Sequence, residues 1–167
     1  MHLRSNDGLR VAGRSRLCAY PAGTLRDYLD NAKELPTPLY ETRSPNLVVS
    51  TGKGLVGDLL LDVESVGLTY HAIGTGTTAP AAGDTALDTE AARKLWTSKT
   101  RTGSVITYSV FYLASECAFD IKEVGVFGGS TASGIAESGV LFARLLQSYD
   151  NSAGLVDLTF EYELSIG

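Results

Sequence analysis

The stretch IGTGTTAPAAGDTALDTEAARK, residues 73–94, is the first place where residue types and spacing suggest chemistry. Gly74-Thr75-Gly76-Thr77-Thr78-Ala79 fits the G-x-G-x-x-G/A pattern, in which glycines let a backbone turn approach a pyrophosphate and a helix N-terminus faces the anion. The flanking residues argue against that use. Pro80 follows at once, then Ala81, Ala82 and Gly83, so no helix begins before Asp84. The acidic residue that should meet a ribose about 20 positions on is missing, since that neighbourhood reads RKLWTSK. The stretch reads as a glycine- and threonine-rich structural loop.

Other candidate chemistry fails on spacing. STGKGLVG (50–57) sets Lys53 among glycines before a helical segment, but it lacks the G-x-x-x-x-G-K-[ST] frame of a phosphate-binding loop. Of the two histidines, His2 is terminal, and His71 stands alone in a strand, where a hydrogen-bonded core or interface position is expected. No G-x-S-x-G elbow occurs. No His, Cys or Asp grouping has zinc or calcium spacing. Asp88 with Glu90, and Glu161 with Glu163, are carboxylate pairs, but the second lies on the polar face of a strand, where solvated charge belongs. The expectation is a protein that is not an enzyme, with no catalytic residue, cofactor or metal.

The elements that position these residues are mostly strands. LTFEYELSI alternates Leu158, Phe160, Tyr162, Leu164 and Ile166 against Thr159, Glu161, Glu163 and Ser165, a period of two. GLRVAGRSRLCAY, NLVVS, LTYHAIG, KLWTSKTR, SVITYSVFYLA, IKEVGVFGG and GVLFARLLQSY read as further strands, with Thr102-Gly103 as a hairpin turn. TLRDYLDNAKEL suits a strand or a short helix. Leu55, Val56, Leu59 and Leu60 share one helical face, with Ser50 or Thr51 as cap and Gly54 and Gly57 weakening the helix by up to about 1 kcal/mol each. DTALDTEAARK (84–94) predicts one or two helical turns capped by Asp84 or Thr85. Residues 128–139 predict a mobile hairpin tip. Regular strand–helix alternation is absent, which predicts a mainly β fold: an antiparallel β-sandwich with two short helical insertions.

Composition agrees with a folded chain: 167 residues, 44% hydrophobic, 20% charged and a net charge of −5. That charge gives no support to nucleic-acid binding as the main activity. No apolar run is long enough to cross a membrane as a helix, and the first residues carry no apolar signal region. Cys18 and Cys117 are expected as buried, reduced thiols. Arg4, Arg10, Arg14, Arg16 and Arg26 crowd the N-terminal part, while Asp150, Asp157, Glu161 and Glu163 collect near the end. A neighbouring copy's acidic surface, or solvent, is the expected setting for those arginines.

Taken together, several segments resemble tailed-bacteriophage virion proteins. In that family a strand ends in a loop of the form xGTGTTAPxxGDTxLxxE before xRK, as in residues 73–94 here. NLVVSTGKGLVGDLLL (46–61) matches the usual lead-in upstream of that loop, and EVGVFGG (123–129), GVLFARLL (139–146) and LTFEYEL (158–164) follow it in the same order. The resemblance covers roughly residues 46–166. It is similar to the attachment part of tail fibres and to collar-type proteins, and an attachment piece rather than a complete receptor-binding fibre is expected.

The resemblance implies a structural virion component: a tail, collar or baseplate appendage or a fibre-attachment protein, working by self-association and docking. A capsid-decorating protein of the head surface and a glycan-binding, receptor-recognition domain are the alternatives. Its partners would be copies of itself, with a trimer the guess, and other phage structural proteins, without membrane; its place would be the virion, assembled in the bacterial cytoplasm. Residues 1–45 are expected as an N-terminal arm or docking segment with strands, and 46–167 as the β-sandwich domain. Gly74, Gly76, Pro80, Asp84, Glu123, Gly125, Phe127 and Arg144 are the interface or loop-scaffold candidates. Val124 and Val126 are expected inward, with Phe127 at an edge or joint. Trp96, Tyr108, Phe111 and Tyr112 are aromatic candidates for contact with a neighbour.

Overall fold

A computed structural model describes residues 10–31 and 34–167. Strand β1 (Val11–Pro21) is followed by α1 (Thr24–Asn31), β2 (Tyr40–Pro45), β3 (Leu47–Val48), α2 (Ser50–Leu60) and β4 (Leu68–Gly74). Then come β5 (Glu90–Leu95), β6 (Ser98–Thr102), β7 (Val105–Tyr112), a 3-10 turn (Ala114–Glu116), β8 (Asp120–Gly128), β9 (Val140–Asp150) and β10 (Val156–Ile166). They build two five-stranded sheets, β2-β1-β10-β7-β6 and β3-β9-β8-β4-β5, antiparallel throughout. The fold is the antiparallel β-sandwich with two helices that the strand patterns predict.

Alternation explains the core. Leu158, Phe160, Tyr162 and Leu164 of β10 turn inward with Leu17 and Ala19 of β1 and Val110 and Tyr112 of β7. They meet Ile73, Val124, Val126, Phe142 and Leu145 of the second sheet. Each such large side chain, fully buried, contributes roughly 1.5–3 kcal/mol. Only Ile166, at the end of the β10 stripe, is left partly exposed.

His71 sits in this core, with its ring centroid 4.6 Å from that of Phe160 and 5.2 Å from that of Trp96. Burial lowers its pKa from 6.5 to about 3, so the ring is neutral. The Tyr112 hydroxyl donates to the His71 carbonyl at 3.0 Å and lies 3.1 Å from Nδ1, which puts the ring proton on Nδ1. This is the hydrogen-bonded core histidine expected from a lone strand position.

The chain closes both open sides of the sandwich by changing sheets within one residue or two. At one side Asn46, between β2 and β3, donates its backbone N–H to Gly13 in the first sheet while Leu47 pairs with Arg144 in the second. At the other, Trp96 N–H goes to Thr69 of β4 and Thr97 N–H to Ser109 of β7. Such corners join the layers covalently.

Several expectations change against this architecture. The described part of the first 45 residues is woven into the sandwich, because β1 pairs with β10 along its whole length from Val11 to Pro21. The segment TLRDYLDN is helical, and α1 lays Leu25 over Cys18 and Tyr20 on the outer face of the first sheet. Helix α2 forms where expected, but its N-cap is Val49, and Thr51 instead donates its hydroxyl to the Leu141 carbonyl. Leu60 turns to solvent; Leu55 is the side chain of that face that is fully buried.

The β6–β7 turn is Gly103-Ser104, since Thr102 pairs with Val105. Trp96, Tyr108 and Tyr112 are buried between the sheets, and Phe111 lies beneath α1 with Tyr28 edge-on at 5.8 Å. Both layers over these aromatics therefore belong to one chain. Cys18 and Cys117 are free and buried, and burial raises both thiol pKa values, that of Cys117 to about 11.

Candidate functional site

The loop singled out by its glycines crosses the outer face of the second sheet, leaving β4 at Gly74 and returning as β5 at Glu90. No helix forms in 84–94; β5 begins at Glu90 instead. Asp84 and the acids after it suit a helix start, but they serve here as acceptors for the loop itself. A loop lying on a sheet face has backbone amides that no ladder satisfies, and leaving them bare under cover costs about 1–3 kcal/mol each.

Glu123, in the middle of β8 and pointing outward, supplies the acceptors. Its Oε1 accepts from the backbone N–H of Gly76 at 3.1 Å and of Thr89 at 2.7 Å. Its Oε2 accepts from Asp88 N–H at 3.0 Å and from Arg144 Nε at 3.0 Å. Glu123 is fully buried. Arg144, opposite Gly125 on β9, then reaches outward: Nη1 donates to Asp84 at 2.8 Å and Nη2 to the Thr78 carbonyl at 3.0 Å. The two ends of the loop and its middle are thereby tied to one buried ion pair, Arg144 to Glu123 at 2.8 Å.

Electrostatics follow from these bonds. The Ala81 N–H and the Arg144 guanidinium hold the Asp84 carboxyl below its ordinary value. The Thr78 hydroxyl and N–H do the same for Asp88. Burial works against charge on Arg144, but the Asp84 and Glu123 carboxylates outweigh it and raise the guanidinium pKa.

Gly74 and Gly76 are required for closeness rather than for an unusual turn, since neither has a positive φ. A Cβ on Gly74 would strike the Thr89 carbonyl, and one on Gly76 would strike Asp88 and Glu123. Gly125 leaves room beneath Leu87, which packs with Phe127, Ala72, Leu141 and Val49. Pro80 stands half-buried between the Thr78 and Ala81 attachments. The alternation read for β8 is correct, yet Phe127 is fully buried rather than at an edge, because the loop roofs that face.

All eight candidate residues thus lie under, in or against one loop. Sequence reasoning missed a second clamp beside it. Glu90 and Arg93 form an ion pair at 2.7 Å whose side chains are 1% and 2% exposed. Arg93 also donates to the Ser133 and Ser138 carbonyls and lies 4.2 Å over the Phe127 ring. Glu137 N–H donates to Glu90, so the 129–139 hairpin loop is fastened to β5. The available signal was the Glu90/Arg93 spacing, which looked helical.

Chemically, the arrangement is an anion cradle filled by the chain's own carboxylate. Three amides and a guanidinium converge, as they would on a phosphate, but they converge on Glu123. A carboxylate whose two oxygens each accept two hydrogen bonds has no free lone pair aimed at a substrate. Comparison with protein families, curated proteins and solved structures finds no match for this chain.

Proposed function

We propose that this chain is a structural component of a tailed phage particle, a tail, collar or baseplate appendage or a fibre-attachment protein, and that it acts by self-association and docking rather than by catalysis. One observation carries the reading. Three of the segments that resemble virion proteins (73–94, 123–129 and 139–146) meet at the Glu123–Arg144 clamp, and NLVVS supplies the β3 edge of the same sheet, while LTFEYEL forms β10 of the other. A shared pattern that encodes one buried fastening is what a scaffold keeps, and the polar groups gathered there are consumed in holding a loop down.

The test is the composition of purified particles, by peptide mass spectrometry and immunogold labelling. The chain is expected in particles at a copy number far below that of the major shell protein, with label at the tail or neck. Label over the head at shell-like abundance would move it to the capsid surface, and absence from particles would overturn the proposal.

A further inference from the structure

The turn after α2 presents three apolar side chains to solvent: Leu60, Leu61 and Val63 are 72%, 74% and 75% exposed. The turn is well fastened. Leu61 N–H closes on Gly57, and Val63 and Glu64 N–H both close on the Asp58 carbonyl. The Glu64 carboxylate takes Ser130 N–H and hydroxyl together with Ser65 and Val66 N–H, bonds that pull its pKa down to about 2. Exposed Asp58 and Asp62 flank the apolar tip and make no ion pair among the described residues. Exposed apolar side chains carried on a fastened backbone spare the cost of ordering the loop on binding, which is what a docking knob requires.

A surface of opposite character lies along β6. Every residue of β6 is exposed, it carries Lys99 and Arg101 and no acid, and its outer edge pairs with nothing among the described residues. Two shallow recesses flank Arg101 and Ile106: one of 310 Å³ also lined by Ser104 and Ile166, the other of 230 Å³ also lined by Tyr108. Lys99 is engaged with the Leu68 carbonyl at 2.6 Å, whereas Arg101 donates only to the Gly103 carbonyl among the described residues, which leaves Arg101 as the cation at the rim. The recesses therefore have apolar floors with a cation at the rim, and the knob has an apolar tip with anions at its base.

We propose that the α2 tip of one copy seats in the β6 recess of a second copy, with Leu61 and Val63 entering beside Ile106 and the Asp58 and Asp62 carboxylates facing Arg101. Direct pairing of two β6 edges is disfavoured, because an antiparallel match centred on Thr100 would set Lys99 against Arg101. The contact supplies an interface for the self-association in the proposed function and rests on that reading for its role, though not for its existence.

Sedimentation equilibrium of the full chain tests it. The wild type is expected to associate, more weakly as salt rises. Leu61→Asp with Val63→Asp in one variant, and Arg101→Glu in another, are each expected to weaken association at least about 30-fold, the effect of losing a hot spot. Mixed together, the two variants should form one-to-one pairs, since each keeps the half the other lacks. A monomeric wild type, variants that associate as the wild type does, or a mixture that stays monomeric would each overturn the inference. Particle composition is a separate readout: a chain that is monomeric yet present in particles overturns the interface and leaves docking into the particle standing, and one that associates but is absent from particles overturns the proposed function and leaves the interface standing.

Discussion

The outer faces of the two sheets use the same residue types in opposite ways. On the first sheet, Arg14 pairs with Glu163, and Arg16 with Glu161 and Glu41, across β10, β1 and β2. The side chains there are between 32% and 61% exposed. On the second sheet, the Arg144–Glu123 and Arg93–Glu90 side chains are at most 3% exposed, and each pair also carries backbone groups of a covering loop. Exposed pairs are worth about 0–1 kcal/mol each because water screens them. A buried pair gains little net over an apolar substitute, but removing one partner costs about 3–5 kcal/mol. Charges on the first face tune a surface; on the second they hold a loop in place.

The largest effect should come from Glu123→Ala, which strands Arg144 and three backbone amides. Denaturant unfolding is expected to show a loss of about 3–5 kcal/mol. Arg144→Met should cost a similar amount, and the double variant distinctly less than the sum. Full additivity would break the picture of one shared clamp.

Gly76→Ala comes next, at about 1–3 kcal/mol, because its new methyl must push Asp88 and Glu123 aside. Combined with Pro80→Ala it should impair folding or assembly while leaving nucleotide affinity unchanged. Saturable NAD or ATP binding by calorimetry would contradict the structural reading of the loop.

Acid titration sharpens the comparison further. The folded pKa of Asp84 lies below its ordinary 3.8, so its contribution is complete above pH 3.8 and fades as pH falls through the lowered folded value. The stability gap between wild type and Asp84→Asn should therefore be constant above pH 3.8 and close below it. Smallest of all, Arg14→Ala on the first face should change stability by less than about 1 kcal/mol at moderate salt. A loss as large as that of Glu123→Ala would erase the distinction between the two faces.

How far the sequence foretold this depends on the kind of information each feature needs. The β10 stripe was legible because a period of two is local, and the sandwich followed from many such stripes. The arginines near the start and the acids near the end were visible as opposite runs, but not as partners. Only the β1–β10 register places Arg14 beside Glu163 and Arg16 beside Glu161, so they meet each other rather than a neighbouring copy. Arg4 and His2 fall outside the described residues.

The eight loop candidates were found as a group, yet the roof over them was not, since a covering loop has no periodicity. Phe127 was placed on the correct side of β8 and given the wrong exposure for that reason. Residues 84–94 were misread as helical because an Asp that caps a helix and an Asp that closes a loop make the same bond to a nearby amide. The Glu90–Arg93 spacing misled in the same way, its partners being a loop some 40 residues further on.

The central claim is that Glu123 holds the 75–89 loop shut from beneath. Amide hydrogen exchange at Gly76, Asp88 and Thr89 tests this most directly. In the wild type all three should exchange only through openings close to global unfolding, and in Glu123→Ala, which removes both acceptor oxygens, they should become fast while β10 stays protected. Fast exchange at these amides in the wild type, or protection that appears only when a phosphate ligand is added, would contradict it.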